Sequence, residues 1–226
     1  MKNHDEIFEE RLSASISLYS KFLLFFYDWL LLGCNCSFLW KCPSRHMLEL
    51  YNRYVTANHL DIGVGSGYFI DKCRFPSDNP RLALMDLNPN SLAVAGKRLA
   101  RYNPETYRRN VLEPLDLDVP AFDSIAMMNL LHCLPGNMQT KGVAFQNAAE
   151  FMSPGSVIFG STILYRGVNR NLTTTRALKM ANRRGYMNNL EDTAEGLKEN
   201  LERYFSESSA YAIGCEALFW ARKKKL

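Results

Sequence analysis

The chain reads as an α/β protein built on one doubly wound, mostly parallel sheet of seven strands. A C-terminal antiparallel hairpin closes it and an N-terminal helical cap precedes it. Three observations predict this. From about residue 58 to 159, short apolar segments alternate with amphipathic ones, the strand–helix repeat that winds a parallel sheet with helices on both faces. Those apolar segments lack strict in–out alternation, as strands covered on two faces do. Finally, two β-like stretches, 205–212 and 215–222, meet at Ile213-Gly214, a link short enough for a hairpin.

Taken in order, residues 1–46 form the cap. Leu18, Phe22 and Phe25-Phe26 recur at helical spacing, with Tyr19 and Tyr27 between them. Trp29, Phe38 and Trp40 add to an aromatic segment, and a lid over a pocket would use such flat surfaces with polar edges. The apolar run 22–32 contains Asp28 and falls short of the roughly 20 residues of a spanning helix, so no transmembrane segment is expected. The main α/β domain covers 47–226. Residues 47–54 are helical, 58–62 form a short strand, and a helix follows to about Cys73. Arg81–Met85 is an apolar strand. Asn88-Pro89-Asn90 signals a turn and cap for a helix with Leu92, Ala95 and Leu99 inward. Residues 106–109 are a weak strand, 124–128 a stronger one and 142–152 a helix. Pro154-Gly155 is a turn before a strand at 156–159. An insertion at 161–188 interrupts the repeat; 173–184 within it is helical, with Ala177, Met180 and Ala181 on one side. Asn189 is expected to cap a further helix, with Asp192 at its third position. Leu190, Ala194, Leu197 and Leu201 give that helix an apolar stripe.

The 226 residues, 47% apolar and 22% charged, suit one globular domain with a small cap. A net charge of +4 does not by itself imply nucleic acid. The six cysteines, at 34, 36, 42, 73, 133 and 215, form no dense disulfide framework. With no secretory signal in view, they predict a cytoplasmic protein with reduced thiols. Cys34, Cys36 and Cys42 could supply three metal ligands, but no second C-x-x-C pair supports them, and no metal is expected.

The chemistry gathers at strand ends. Leu60-Asp61-Ile62-Gly63-Val64-Gly65-Ser66-Gly67-Tyr68 reads as the end of a buried strand, a glycine-rich turn and a helix start. Glycines permit positive φ and let a ligand lie against the backbone. The following helix would offer free amides to a carboxylate or phosphate. No G-K-[ST] follows, which excludes a P-loop. Asp86 ends the next strand, where a carboxylate can accept from both hydroxyls of a ribose. An NAD site makes the same two demands, but no Tyr-x-x-x-Lys pair appears late in the chain to serve an oxidoreductase.

Together, Asp61-Ile62-Gly63-Val64-Gly65-Ser66-Gly67 and Asp86 resemble the first motif and ribose acid of the class I S-adenosylmethionine-dependent methyltransferases, a family of Rossmann-like fold. The small size resembles its stand-alone small-molecule members. The resemblance implies S-adenosyl-L-methionine as cofactor, with S-adenosyl-L-homocysteine as product. By it, Asp61 holds the methionine amino group and Gly63, Gly65 and Gly67 cradle the tail. Asp86, with Leu87, binds the ribose, and Asn110-Val111-Leu112 frames the adenine. Aspartate is more usual at the Asn110 position; the amide oxygen can replace it as acceptor. Asn129–His132 resembles the motif beside the transferred methyl, and 152–156 the turn before the fifth strand.

Methyl transfer needs in-line placement more than acid–base help. His132 is the expected general base, since an unperturbed imidazole titrates near neutrality. A capping or packing histidine is its alternative. Tyr19, Tyr27 and Trp40 are expected substrate contacts. Arg166, Arg170, Arg176, Lys179, Arg183 and Arg184 read as a solvated helix face or an attraction for acidic substrates. The expected partner is a small organic substrate. Nucleic acid is disfavoured, lacking an N-P-P-[YF]-like tetrad, and a homodimer is allowed. A non-methylating protein that keeps the cofactor site is the competing reading.

Overall fold

A computed structural model describes residues 38–225. Tyr19, Tyr27, the apolar run 22–32, Cys34, Cys36 and most of the expected cap lie outside the described residues. Helix α1 (Arg45–Tyr54) leads into β1 (Asn58–Ile62). Then come α2 (Tyr68–Lys72), β2 (Arg81–Met85), α3 (Pro89–Arg98) and β3 (Glu105–Tyr107). Next are β4 (Phe122–Met128), α4 (Met138–Lys141), α5 (Val143–Glu150) and β5 (Met152–Ile163). The chain continues with α6 (Leu172–Arg183), α7 (Ala194–Tyr204), β6 (Glu207–Ile213) and β7 (Glu216–Arg222).

One seven-stranded sheet has the order β3-β2-β1-β4-β5-β7-β6. Strands β1 to β5 run parallel, and β7 is antiparallel to both β5 and β6. Alternate residues of each strand feed two apolar layers. Leu84, Ala126, Met128, Phe159 and Leu218 pack under Met47 and Tyr51 of α1, Ala95 of α3 and Leu178 of α6. Leu60, Ile62, Met127, Ile158 and Phe219 face Phe145 of α5 and Leu197 and Leu201 of α7. Burial of such side chains is worth roughly 1.5–3 kcal/mol each, so both helical layers are tied to the sheet along its length.

Several local readings needed correction. The strand expected at 156–159 runs from Met152 to Ile163. Pro154-Gly155 does not end it: Gly155, at φ +77°, sits in a bulge where the register against β4 jumps. Gly160 allows the close approach of β4, because a Cβ there would lie 2.2 Å from the Met127 carbonyl oxygen. Asn189 caps no helix. It is fully buried, its amide donating to the Ile163 carbonyl at 2.8 Å, and Thr193 caps α7 instead, its hydroxyl accepting from Gly196 N–H. Leu190 and Met180, expected in apolar stripes, are exposed.

Asp192 is not in a helix either. Its Oδ2 accepts from Lys141 Nζ at 2.6 Å, both side chains wholly buried, and Lys141 also donates to the Asn188 carbonyl at 2.7 Å. Burial pulls the lysine pKa down and pushes the aspartate up, and their mutual attraction opposes both shifts. The pair pins the 188–192 segment to α4. Removing one partner strands a buried charge, so Lys141→Met should cost about 3–5 kcal/mol. Lys141→Met with Asp192→Leu should recover most of that loss in chemical denaturation.

Candidate active site

The sheet order reverses between β1 and β4, and a cleft opens above their carboxyl ends, as the topology of such sheets dictates. It encloses about 1050 Å³ including its open mouth, and is lined by the glycine turn, the ends of β2 and β4, and the loop at 109–111.

The three glycines have different tasks. All adopt positive φ. A Cβ on Gly63 would lie 2.7 Å from Leu130 Cδ1, and one on Gly67 would press on Ala95 of α3. Around Gly65 there is nothing within 4 Å of the added carbon, so this is the position where a ligand can lie against the backbone. Helix α2 has only five residues. The turn's own backbone, rather than a long helix dipole, makes the cradle.

Asp61 and Asp86 flank it. Asp61 is buried, and the Tyr51 hydroxyl of α1 donates to its Oδ2. His59 Nε2 lies 3.8 Å from the same oxygen, while its Nδ1 meets Ser124 Oγ at 2.8 Å. Burial and the Asp61 charge push the Tyr51 hydroxyl pKa well up, so it stays a donor. Asp86 Oδ1 accepts from Asn88 N–H at 2.8 Å and Oδ2 from Gly65 N–H at 3.3 Å. Burial raises its pKa to about 6, and those two amides pull against the rise. The Ser91 hydroxyl also bonds this carboxylate, whose two oxygens offer about four acceptor sites in all, so room remains for a hydroxyl donor.

Leu87, Asn110 and Val111 also line the cleft. Asn110 Oδ1 accepts from Leu112 N–H at 3.1 Å and its Nδ2 donates to Glu113 Oε1 at 2.8 Å. Asn147 of α5 fixes this loop by donating to the carbonyls of Val111 and Glu113. At the end of β4, Asn129 takes φ +56°. Its Nδ2 points to Met47 Sδ at 3.4 Å and its Oδ1 accepts from Ser161 Oγ at 3.1 Å. Thus Met47 and Tyr51, one turn apart on α1, touch the polar groups at both sides of the turn.

Trp40 and His132 do not line this cleft. Trp40 is buried, its carbonyl accepting from Cys215 N–H at 2.8 Å beside the β6–β7 turn. His132 is 4% exposed, and its Nδ1 accepts from Ile163 N–H at 3.2 Å. That bond places the ring proton on Nε2, leaving no free lone pair. Burial, helped by the Lys141 charge, pulls its pKa down to about 3. Most basic side chains of 161–188 form a solvated face: Arg176, Lys179, Arg183 and Arg184 are exposed, and Arg166 pairs with Glu191. Arg170 does not; it is half-buried, its guanidinium 3.9 Å over the Tyr165 ring.

Sequence reasoning missed Tyr51, Ser161 and Glu216. Only the Met47–Tyr51 spacing hinted at the first. Glu216 is fully buried, and among the described residues neither carboxyl oxygen has a hydrogen-bond partner. Burial pushes its pKa up to about 7, with a lesser downward pull from the Ser161 hydroxyl beside it. That hydroxyl donates its proton to Asn129 Oδ1, not to the carboxyl. Because the folded pKa lies above the ordinary 4.5, the stabilising effect of the neutral form is complete below that value and lost as pH rises through about 7. Glu216→Gln should therefore gain stability over the natural chain between about pH 5 and pH 8, by on the order of 2–3 kcal/mol. Denaturant titrations at both pH values check it.

Fold and cleft together define a class I methyltransferase. A family model described as a methyltransferase domain matches residues 60–158. The chain is 37% identical over 217 residues to demethylluteothin O-methyltransferase of Streptomyces thioluteus, covering 96% of this chain and 94% of that one. It is 34% identical to methyltransferase verB of Penicillium polonicum, with 92% and 98% covered. The chain belongs to the methyltransferase family and is a methyltransferase enzyme. Among solved structures, the DhpI complex with S-adenosylhomocysteine superposes with a TM-score of 0.67 at 15% identity, covering 96% of this chain and 98% of that one. Human N-acetylserotonin methyltransferase with S-adenosylmethionine gives 0.62 at 15%, covering 92% and 58%. At such identities these two likenesses speak for the fold.

Proposed function

We propose that the enzyme transfers a methyl group from S-adenosylmethionine to a hydroxyl of a small, largely apolar organic molecule. The observation that carries this reading is the Gly65 cradle between two carboxylates, Asp61 and Asp86, at the β1–β4 reversal. The donor set fits the cofactor: a carboxylate for its ammonium, a second for its ribose, and open backbone between them. The sulfonium supplies an already activated methyl. Asp61 would bind its amino group and Asp86, with Leu87, its ribose; Asn110 and Val111 would border the adenine, and Asn129 would stand beside the methionine end. An oxygen acceptor is favoured by the names of two relatives, demethylluteothin O-methyltransferase and the physcion biosynthesis cluster O-methyltransferase of Aspergillus chevalieri. Residues 1–46, with Tyr19 and Tyr27, serve as a lid in this reading, and Trp40 belongs to the acceptor side. The 161–188 segment borders the same pocket. Among the described residues no helix is long and apolar enough to cross a membrane. A cytoplasmic location belongs to the same reading, and the free thiols of Cys42, Cys73, Cys133 and Cys215 support it.

His132 fills a positioning role here, holding the Ile163 end of β5 against the turn after β4 rather than accepting a proton. His132→Ala should lower stability by about 1–3 kcal/mol and leave the shape of the pH–rate profile unchanged. Loss of one limb of that profile would restore the histidine as base.

Calorimetry tests the cofactor. The natural chain should bind S-adenosylhomocysteine, and Asp86→Ala should weaken it by about 10- to 100-fold through two lost charge-assisted hydrogen bonds. A protein that ignores this nucleotide and binds NADH firmly refutes the reading.

A further inference from the structure

Glu216 is a carboxyl that the fold buries with no hydrogen-bond partner among the described residues, an arrangement that costs stability. Strand β7 runs antiparallel to β5, so its first residue arrives at the edge of the sheet where the parallel strands end. Glu216 pairs in register with Ile163 and shares a face with Ser161, two residues earlier on β5. Such diagonal neighbours lie within reach of one long side chain. Ser161 in turn bonds Asn129, which lines the cofactor cleft. The row Asn129, Ser161, Glu216 therefore leads across β4, β5 and β7 away from Asp61 and Asp86; Asn129 lines the cleft, and Ser161 and Glu216 stand behind it. Trp40 and Cys42 pack in the same apolar layer beside the turn that carries Glu216.

We propose that Glu216 is the proton acceptor of methyl transfer, taking the proton of an acceptor hydroxyl that reaches the Asn129–Ser161 end of this row. This rests on the hydroxyl-methylating function proposed above. The acceptor O–H bond breaks and its proton passes to the Glu216 carboxylate. The oxygen forms its bond to the methyl carbon as the sulfur–methyl bond breaks, and that electron pair stays on sulfur. The Glu216 proton then leaves to solvent. Ser161 and Asn129 keep the row oriented by their mutual hydrogen bond.

The surroundings suit a base that changes charge near neutrality. No salt bridge engages Glu216 among the described residues. The groups around it are the Ser161 hydroxyl on β5, the Cys215 thiol at the turn and the Cys42 thiol, whose pKa is pushed up to about 12 by burial and the Glu216 charge. Lys41 and Arg170 act on Cys215, and Arg45 on Cys42. His132, whose Nδ1 is occupied by Ile163 N–H, does not compete for the proton.

The test compares the natural chain with Glu216→Gln at pH near 8, using S-adenosylmethionine and two acceptors, 2-naphthol and 4-nitrophenol. The first arrives protonated, the second largely ionised. The amide should cut turnover of 2-naphthol by about 100-fold or more, with turnover of 4-nitrophenol and the Kd of S-adenosylhomocysteine within about threefold. Equal losses on both acceptors, or none, overturn the proposal, because a structural defect does not distinguish acceptor acidity. Infrared difference spectra of the two proteins provide a readout free of turnover. A protonated-carboxyl band should vanish with a midpoint near neutrality, and a band persisting to about pH 9 overturns the role. If the natural chain binds S-adenosylhomocysteine but methylates neither phenol, the hydroxyl acceptor and this role fall together. If it does not bind that nucleotide, the cofactor reading itself has failed.

Discussion

Side by side in the sheet, β1 and β4 are parallel neighbours whose connections leave in opposite directions. The loops above their ends diverge, and the gap between them cannot be filled by either. Every polar group of the site is arranged around that gap. Gly63 makes room for the Leu130 side chain, Gly67 closes on α3, and Gly65 stays open. Asp61 and Asp86 arrive from adjacent strands on one side, and Asn129 from the other. The cleft is a product of strand order before it is a product of side-chain chemistry.

Helix α1 stiffens this arrangement. It packs on the sheet through Met47 and Tyr51, and these same side chains meet Asn129 and Asp61. A helix that only filled space would leave both polar groups free to turn. Here the packing of one apolar face also orients the cleft, so core stability and ligand geometry share residues. On the opposite face, Asn147 reaches across from α5 to hold the 110–113 loop. The two walls are thus fixed from the two layers of the fold independently.

Much of this could be read from the chain. The glycine spacing and the acid at the end of β2 have few uses in an α/β repeat, and both lie where expected. Strand and helix types were legible because their apolar periods are strong. What escaped was decided by tertiary contacts. Asn189 looks like a cap locally, but Ile163 offers its carbonyl to the amide. Asp192 looks like a first-turn acid, and Lys141, distant in sequence, claims it. Pro154-Gly155 spells a turn, yet strand pairing continues past it through a bulge. His132 looked like a base from its place after β4, and the backbone of β5 occupies the nitrogen that would do the work. Glu216 alternates with apolar neighbours as an outward residue on an edge strand would. It is inward because β7 inserts between β5 and β6, which no local pattern announces.

That insertion shapes how the molecule is made. The last strand of the chain lies inside the sheet, and the edge strand β6 precedes it. Until β7 arrives, both β5 and β6 present bare backbone to any passing strand. The β6–β7 pairing is a local hairpin, but the pairing that covers β5 joins distant parts of the sequence, which slows closure. A nascent chain therefore keeps the β5 edge open until synthesis has passed Arg222, more than fifty residues after that edge is made.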